Sequence, residues 1–408
     1  MSFDSKIIKI GPMVEYVDNL EEKIDAHGMF LLPSFVSGHT HLYSQFARGL
    51  SLPYDPKDFQ EILDQLWWRL DRELDNETTY YSALSSGIEH LQAGVTTLID
   101  HHASGKTIKG SLDAIKQALN GDIGMRAVLC FETSDRFQVH ECIAENLNII
   151  QAEHSPFLSG LFGLHASLSL SDETLAKVKN VLGEVPIHIH VGESSLDQED
   201  SYRKYGMSVI KRLDRFGLLN EDSLLVHCVH VDDEELEIIK KRKAIIAINP
   251  SSNLNNSVGL PNYERIKKYD IPVILGNDGL DQGMAQEYRN LLFTQHLAQA
   301  SPSAFSLLDL KAVIEDTYAY ASRRLNIKLG RLKNGFEADF LLLPYLAPTP
   351  VDQGNALGHL VYGLFSKFKP EHVFVGGVQL INDYRLKKGL EELFLKAAPI
   401  ARKLWNRL

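Results

Sequence analysis

The strongest constraint on the fold is a repeat of form rather than of sequence. Eight short, β-branched apolar runs end in polar residues and alternate with longer stretches whose apolar residues recur at helical spacing. The runs are Phe30 to Val36, Gly94 to Asp100, Gly124 to Phe131, Ser159 to His165, Val185 to Val191, Ser223 to Cys228, Ala244 to Asn249 and Ile271 to Asp278. Between them lie amphipathic stretches such as Thr78 to Gln92, Leu112 to Leu119, Asp172 to Leu182, Met207 to Phe216 and Asp233 to Lys241, each long enough for a crossover helix. Eight strands with regular crossovers predict an α/β fold, a closed (β/α)8 TIM-type barrel. A doubly wound open sheet would also alternate, but it gathers its ligand site at one switch point, whereas here polar residues cluster at many strand ends.

The barrel is expected over residues 34–329. Residues 1–33 and 330–408 are left over and read as one small β domain built from both ends of the chain. Its strands are sought in Ile7 to Ile24 and Ala338 to Tyr384, the latter including Asp339 to Leu343 and His372 to Val375. Lys388 to Leu408 has the spacing of an amphipathic helix docked by its apolar face. A hydrophobic fraction of 44% over 408 residues supports a full-sized core without disulfides or a structural metal. The net charge of -11 repels phosphate backbones, so nucleic acid is excluded as a partner. Three cysteines without paired spacing, Cys130, Cys142 and Cys228, fit a reducing compartment. With no apolar run of about 18 residues and no signal core, a cytoplasmic protein without a membrane partner is expected.

Chemistry is signalled by the placement of the histidines. Of sixteen, His39 and His41, His101 and His102, His165, His188 and His190, and His227 and His230 fall at or just after expected strand ends. In a barrel the C-terminal strand ends converge on one mouth, so side chains distant in sequence can reach a single ion. Alternate residues of an extended segment point the same way, which lets His39 and His41 grip one metal, although His-x-His also arises by chance. In His188-Ile189-His190 the second histidine is the better ligand. His190-Val191-Gly192-Glu193 places a carboxylate three residues on, able to move a proton on an activated water, and leaves His188 to packing or to support. Asp278, between Asn277 and Gly279 at a tight strand-to-loop turn, is the best general base, with a helix cap or turn residue as the alternative. Such a set of nitrogen and oxygen ligands with an open position suits zinc or ferrous iron.

Leu32-Pro33-Ser34 leading to His39-Thr40-His41, His190 to Glu193, His227, Asn249-Pro250-Ser251-Ser252-Asn253 and Asp278 together resemble the amidohydrolase superfamily. The resemblance lies in the branch of metal-dependent aminohydrolases that holds cytosine deaminase, guanine deaminase and the triazine (TRZ/ATZ) hydrolases. Leu66-Trp67-Trp68-Arg69-Leu70-Asp71-Arg72, Ile99 to Ser104 and Cys130 to Thr133 are most similar to its SsnA-type members. The resemblance implies one divalent metal ion, Zn2+ before Fe2+, held by His39, His41, His190 and Asp278, with His227 beside the water or substrate and Glu193 shuttling protons. It implies a single ion because Gly163-Leu164-His165-Ala166 lacks the lysine of dinuclear relatives, and it gives His165 a substrate contact. Family analogy suggests a homodimer or larger assembly. Ser34 and Asn277 depart from the family's glycine and threonine, and neither removes a ligand.

The expected reaction is deamination of an N-heterocyclic small molecule, purine, pyrimidine or triazine-like, by metal-activated water. Amide or halide hydrolysis at the same site is the alternative, and a catalytically silent binding scaffold a third reading. His101 and His102 fit hydrogen bonds that support the ligands from behind, or substrate contact. Trp67 and Trp68 fit a lid or simple packing, and Glu132 either reads a ring amine or pairs with Arg126 or Arg136. Cys228 reads as packing, and Ser251 and Ser252 lack a nucleophile elbow.

Overall fold

The computed structural model describes residues 1–15, 23–152 and 155–408. Eight parallel strands form the barrel: β1 Phe35–Thr40, β2 Val95–His102, β3 Arg126–Phe131, β4 Phe162–Ala166, β5 Ile187–Val191, β6 Leu224–His227, β7 Ile245–Ile248 and β8 Val273–Leu275. Two seams close the ring. Across β1 and β8, Asn277 and Asp278 donate their backbone N–H groups to the His39 carbonyl at 3.0 and 3.1 Å. Across β3 and β4, Leu161 N–H reaches the Leu129 carbonyl at 3.0 Å. Glycine makes both seams possible. A Cβ on Gly276 would lie 2.6 Å from the His39 carbonyl oxygen, and one on Gly163 would lie 2.3 Å from that of Phe131.

Period-2 alternation sorts the apolar side chains. Val128 and Cys130 cluster with Ile99, Val226, Ala247 and Ile274 inside the barrel, above a floor of Tyr318, Tyr320 and Leu325 from helix Leu307–Leu325. Their neighbours Ala127, Leu129, Leu225 and Ile246 pack outward into the helical layer. Crossover helices stand close to where helical spacing puts them, at Asn76–Gln92, Asp172–Leu182, Val209–Arg215 and Asp233–Arg242. Capping boxes at Asp75 with Thr78 and at Asp232 with Glu235 start the first and last of these.

Three expectations need correction. Phe30 to Val36 is not one strand. Phe30–Pro33 is the edge of an antiparallel sheet, and the chain enters β1 only at Phe35, after Pro33, which has no N–H to donate and suits an edge. The fourth run breaks at Leu161: Leu158–Gly160 pairs with β3 alone, and Phe162–Ala166 pairs with β5. The C-terminal helix is two, Leu390–Leu395 and Ala397–Trp405, because Pro399 cannot follow the Leu395 carbonyl in one continuous helix.

The antiparallel sheet runs Arg385–Leu386, Val378–Asn382, His372–Val375, Phe340–Leu343, Phe30–Pro33, drawing on both flanks of the barrel. Within the stretch Ile7 to Ile24, Ile7–Lys9 forms a strand paired with Ser2–Phe3, and residues 16–22 lie outside those described. Buried Arg126, at the start of β3, ties sheet to barrel through Asp339 at 2.7 and 2.8 Å and Glu337 at 2.9 Å. No helix among the described residues is long and apolar enough to cross a membrane.

Candidate metal centre and active site

His39, His41, His190, His227 and Asp278 meet at the C-terminal mouth of the barrel, brought there by three local devices. On β5, Ile187, Ile189 and Val191 face the helices, so His188 and His190 point inward by alternation. On β1, Val36 already faces inward, and a register irregularity between Ser37 and Thr40 turns the odd residues His39 and His41 to the centre. On β6, Val226 points inward and His227 should point out. A left-handed backbone at His227 (φ 70°) and Cys228 (φ 51°) swings the ring back. Asp278 (φ 56°) is held the same way, and each such residue costs about 1–2 kcal/mol that the surrounding packing sustains.

The imidazole nitrogens are sorted by what stands behind them. His41 donates Nδ1–H to the His101 carbonyl at 2.6 Å, His190 donates to the His165 carbonyl at 3.0 Å, and His227 donates to Asn253 Oδ1 at 2.8 Å. Each bond fixes the tautomer that leaves the Nε2 lone pair facing the centre. His39 Nδ1 meets His188 Nε2 at 2.9 Å, which places His188 as a support behind a front-rank histidine. In front, His41 Nε2 lies 3.2 Å from His190 Nε2 and 3.2 Å from Asp278 Oδ1, and His39 Nε2 lies 3.7 Å from the same oxygen. His227 Nε2 stands 3.6 Å from Asp278 Oδ2 and 3.4 Å from Glu193 Oε2.

This arrangement fits a cation. Buried His39 Nε2 and His227 Nε2 have no hydrogen-bond partner among the described residues. Donor atoms of His39, His41 and His190, and of His39, His227 and Asp278, fall within 4.8 Å of one another. The site's own electrostatics act in the same direction. Burial opposes charge on His41, but contact with Asp278, the Asp278 and Glu132 charges and the His101 carbonyl together outweigh it and lift its pKa to about 9. Burial would raise the Asp278 carboxyl, yet the His39 and His41 imidazoles beside it hold it well below the usual carboxylate range. Burial first, and then the neighbouring imidazoles, drive His39 down to about 4 and His190 well below its ordinary value. A positive charge is wanted at one point beside Asp278, and neutral lone pairs surround it.

The mouth opens into a cavity walled by Tyr43, Phe59, Trp67, Trp68 and His165, with Glu193 and Asp278 at its base. An outer chamber shares Trp67, Ser194 and Asn256 with it. Asn256 donates to Glu193 Oε1 at 3.2 Å. His165 reaches the cavity, its Nδ1 2.5 Å from Ser169 Oγ. His101 and His102 do not line it. The His101 Nε2–H lies between the Leu164 and His188 carbonyls at 3.0 and 3.2 Å, and His102 packs on Phe131 and Tyr43. His230 donates to the Val258 carbonyl at 2.9 Å and faces the outer chamber. Of the two partners considered for Glu132, Arg136 is the one, at 2.8 Å. Buried Cys228 is far from reactive, since burial pushes its thiol well up.

Sequence reasoning gave no role to Asn253, Asn256 or Asp71. Asn253 closes the Asn-Pro-Ser-Ser-Asn motif, which was the available signal. Asp71 lies in the Leu66 to Arg72 run that carries the resemblance, but its arrival at the cavity depends on how the segment after β1 folds across the mouth.

Residues 30–380 match the amidohydrolase family. A 5'-deoxyadenosine deaminase of Methanocaldococcus jannaschii is 28% identical over 410 residues, covering 96% of this chain and 93% of the relative. A 5-methylthioadenosine/S-adenosylhomocysteine deaminase of Thermococcus sibiricus is 27% identical over 372 residues, 88% of this chain and 84% of the relative. Among solved structures, a mutant atrazine chlorohydrolase TrzN of Arthrobacter aurescens with zinc and atraton superposes with a TM-score of 0.84 at 21% identity, covering 98% of this chain and 94% of that one. A zinc-bound adenosine deaminase of Xanthomonas campestris gives 0.79 at 20% identity, covering 93% and 86%. At these identities the structural likeness concerns the fold.

Proposed function

The chain belongs to the amidohydrolase family, and from that premise we propose that it is a metal-dependent aminohydrolase that releases ammonia from an amino-substituted N-heterocycle of small-molecule size. The observation that carries this is the meeting of His39, His41, His190 and Asp278 at one buried point, with Glu193 and His227 on its open side. Relatives that act on 5'-deoxyadenosine and 5-methylthioadenosine make an adenine-type ring the first candidate substrate.

In this reading His39, His41, His190 and Asp278 hold one divalent cation, zinc before ferrous iron. When bound, that ion supplies Lewis acidity that brings the pKa of water toward 7. Asp278 accepts the proton of the attacking water, and its ionised state suits that task. Glu193 is the complementary acid. Burial raises its carboxyl, His227 lowers it and Asp278 raises it, with a net upward shift that favours a proton ready for a ring nitrogen. His227, its Nδ1–H held by Asn253, turns the Nε2 lone pair to the open side, where it accepts a hydrogen bond from the attacking water and orients it. The aromatic walls at Tyr43, Phe59, Trp67 and Trp68 hold the ring and exclude water, and His165 stands at the wall beside it. The barrel, residues 34–329, carries all these groups in this reading, and the sheet of both flanks braces it. The three buried, unpaired cysteines suit a cytoplasmic enzyme.

To test it, zinc- or iron-loaded protein is screened for ammonia release from adenine nucleosides, other purines, pyrimidines and triazines. Ammonia from at least one heterocycle, lost on Glu193→Gln with metal retained, supports the reading. Full activity in Asp278→Asn, or products that show amide or halide cleavage instead, overturns it.

A further inference from the structure

On the wall of the same cavity, Arg136 forms two bonds to Asp71, at 3.2 and 2.9 Å, and one to Glu132, at 2.8 Å. Its guanidinium lies over the Trp68 ring at 4.8 Å and the Phe137 ring at 4.6 Å, so its plane is fixed. Asp71 is 1% exposed and Glu132 2%, and all three residues line the cavity. Among the described lining residues Arg136 is the one Lys or Arg, against the carboxyls of Asp71, Glu132, Glu193, Asp197 and Asp278.

We propose that the Asp71–Arg136–Glu132 cluster is a charge filter that restricts the enzyme to heterocycles whose substituent is neutral or cationic and rejects those bearing a carboxylate. The inference rests on the reading of this cavity as the substrate chamber and narrows the substrate class. A lone arginine on an aromatic wall would be a natural carboxylate receptor, because its planar fork matches two oxygens. Here that fork is already occupied by Asp71. With both carboxyls ionised the cluster carries one net negative charge; with Glu132 protonated it is neutral; in neither state is it cationic. An incoming carboxylate would have to displace a buried charged pair and leave Asp71 unpaired in a poorly hydrated wall. Asp71, Glu132 and Arg136 line the same cavity as Glu193 and Asp278, so a substituent on a ring held there faces this wall. The relatives do not decide the matter, since their substrates include both neutral 5'-deoxyadenosine and carboxylate-bearing S-adenosylhomocysteine.

The test uses metal-loaded enzyme near pH 7.5 and three nucleosides that differ in charge at one position: 5'-deoxyadenosine, 5'-amino-5'-deoxyadenosine and adenosine-5'-carboxylic acid. Binding is measured by calorimetry and turnover by ammonia release. The filter predicts that the carboxylate binds at least tenfold more weakly than the neutral nucleoside and the amine at least as tightly. In Asp71→Asn with Glu132→Gln, where Arg136 loses its counter-charges and the shapes persist, the carboxylate should come within threefold of the neutral compound. Should that double variant fail to fold, Glu132→Gln alone is expected to narrow the gap in the same direction. Equal binding of carboxylate and neutral nucleosides by the unaltered enzyme overturns the filter and leaves deamination standing. Binding in the expected order without ammonia overturns the deaminase reading and leaves the filter. Failure of all three to bind overturns both the filter and the adenine assignment.

Discussion

Glu287 offers a prediction whose size follows from the structure. It sits on helix Met284–Ala298, fully buried, with Oε2 accepting the Ser251 N–H at 3.2 Å and Oε1 without a partner among the described residues. Burial lifts its carboxyl from 4.5 to about 7, and the bonds from Ser251 only partly oppose this. The folded state therefore binds this proton more tightly than the unfolded chain does. The acid form is favoured below about 4.5, and the fold loses stability as pH rises through about 7. A shift from 4.5 to about 7 corresponds to about 3 kcal/mol at pH 8, of which about 1 kcal/mol is already felt at pH 5.5. Glu287→Gln keeps the acceptor for Ser251 and has no proton to lose. Urea unfolding of both proteins at the two pH values should show the variant gaining about 2 kcal/mol on the original chain between pH 5.5 and pH 8. A difference that stays constant across that range refutes the reasoning.

Other outcomes follow from other contacts. Arg126→Met leaves Asp339 and Glu337 buried without their cation and should cost about 3–5 kcal/mol in denaturant unfolding. Gly276→Ala puts a methyl 2.4 Å from Asn249 Oδ1 and 2.6 Å from the His39 carbonyl oxygen, so the closing seam should open and thermal unfolding should fall by many degrees with loss of bound metal. Asn253→Ala removes the acceptor that orients His227, and should lower kcat about 10- to 100-fold while zinc per chain stays unchanged. Glu193→Gln should lower kcat about 10²- to 10⁴-fold with KM little changed, as steady-state ammonia assays will read.

The barrel was legible in the chain because strands buried on both faces leave continuous apolar runs, and its mouth was legible because polar residues end those runs. His190 follows from simple alternation on β5, and Glu193 from its place just past the strand end, beyond Gly192 with its left-handed backbone. Other features depend on the third dimension. Nothing in Phe30 to Val36 announces that Pro33 ends one sheet and Phe35 begins another, since both halves are equally apolar. His227 is brought inward by positive backbone angles, and His39 and His41 by a register irregularity, neither of which has a fixed residue signature. The Asp71–Arg136–Glu132 wall joins segments 65 and 4 residues apart, and the pairing of Glu132 with Arg136 was one of two options that spacing allowed. The break at Pro399 was readable in principle: a proline inside a helical pattern marks an end or a kink.

The central claim is that His39, His41, His190 and Asp278 bind one divalent ion together. Zinc stoichiometry and affinity should be measured by chelator competition on the purified chain and on His41→Ala, His190→Ala and Asp278→Ala. The account predicts one tightly held zinc per chain and a large loss of affinity in all three variants. Retention of stoichiometric, unweakened zinc in any of them would contradict it.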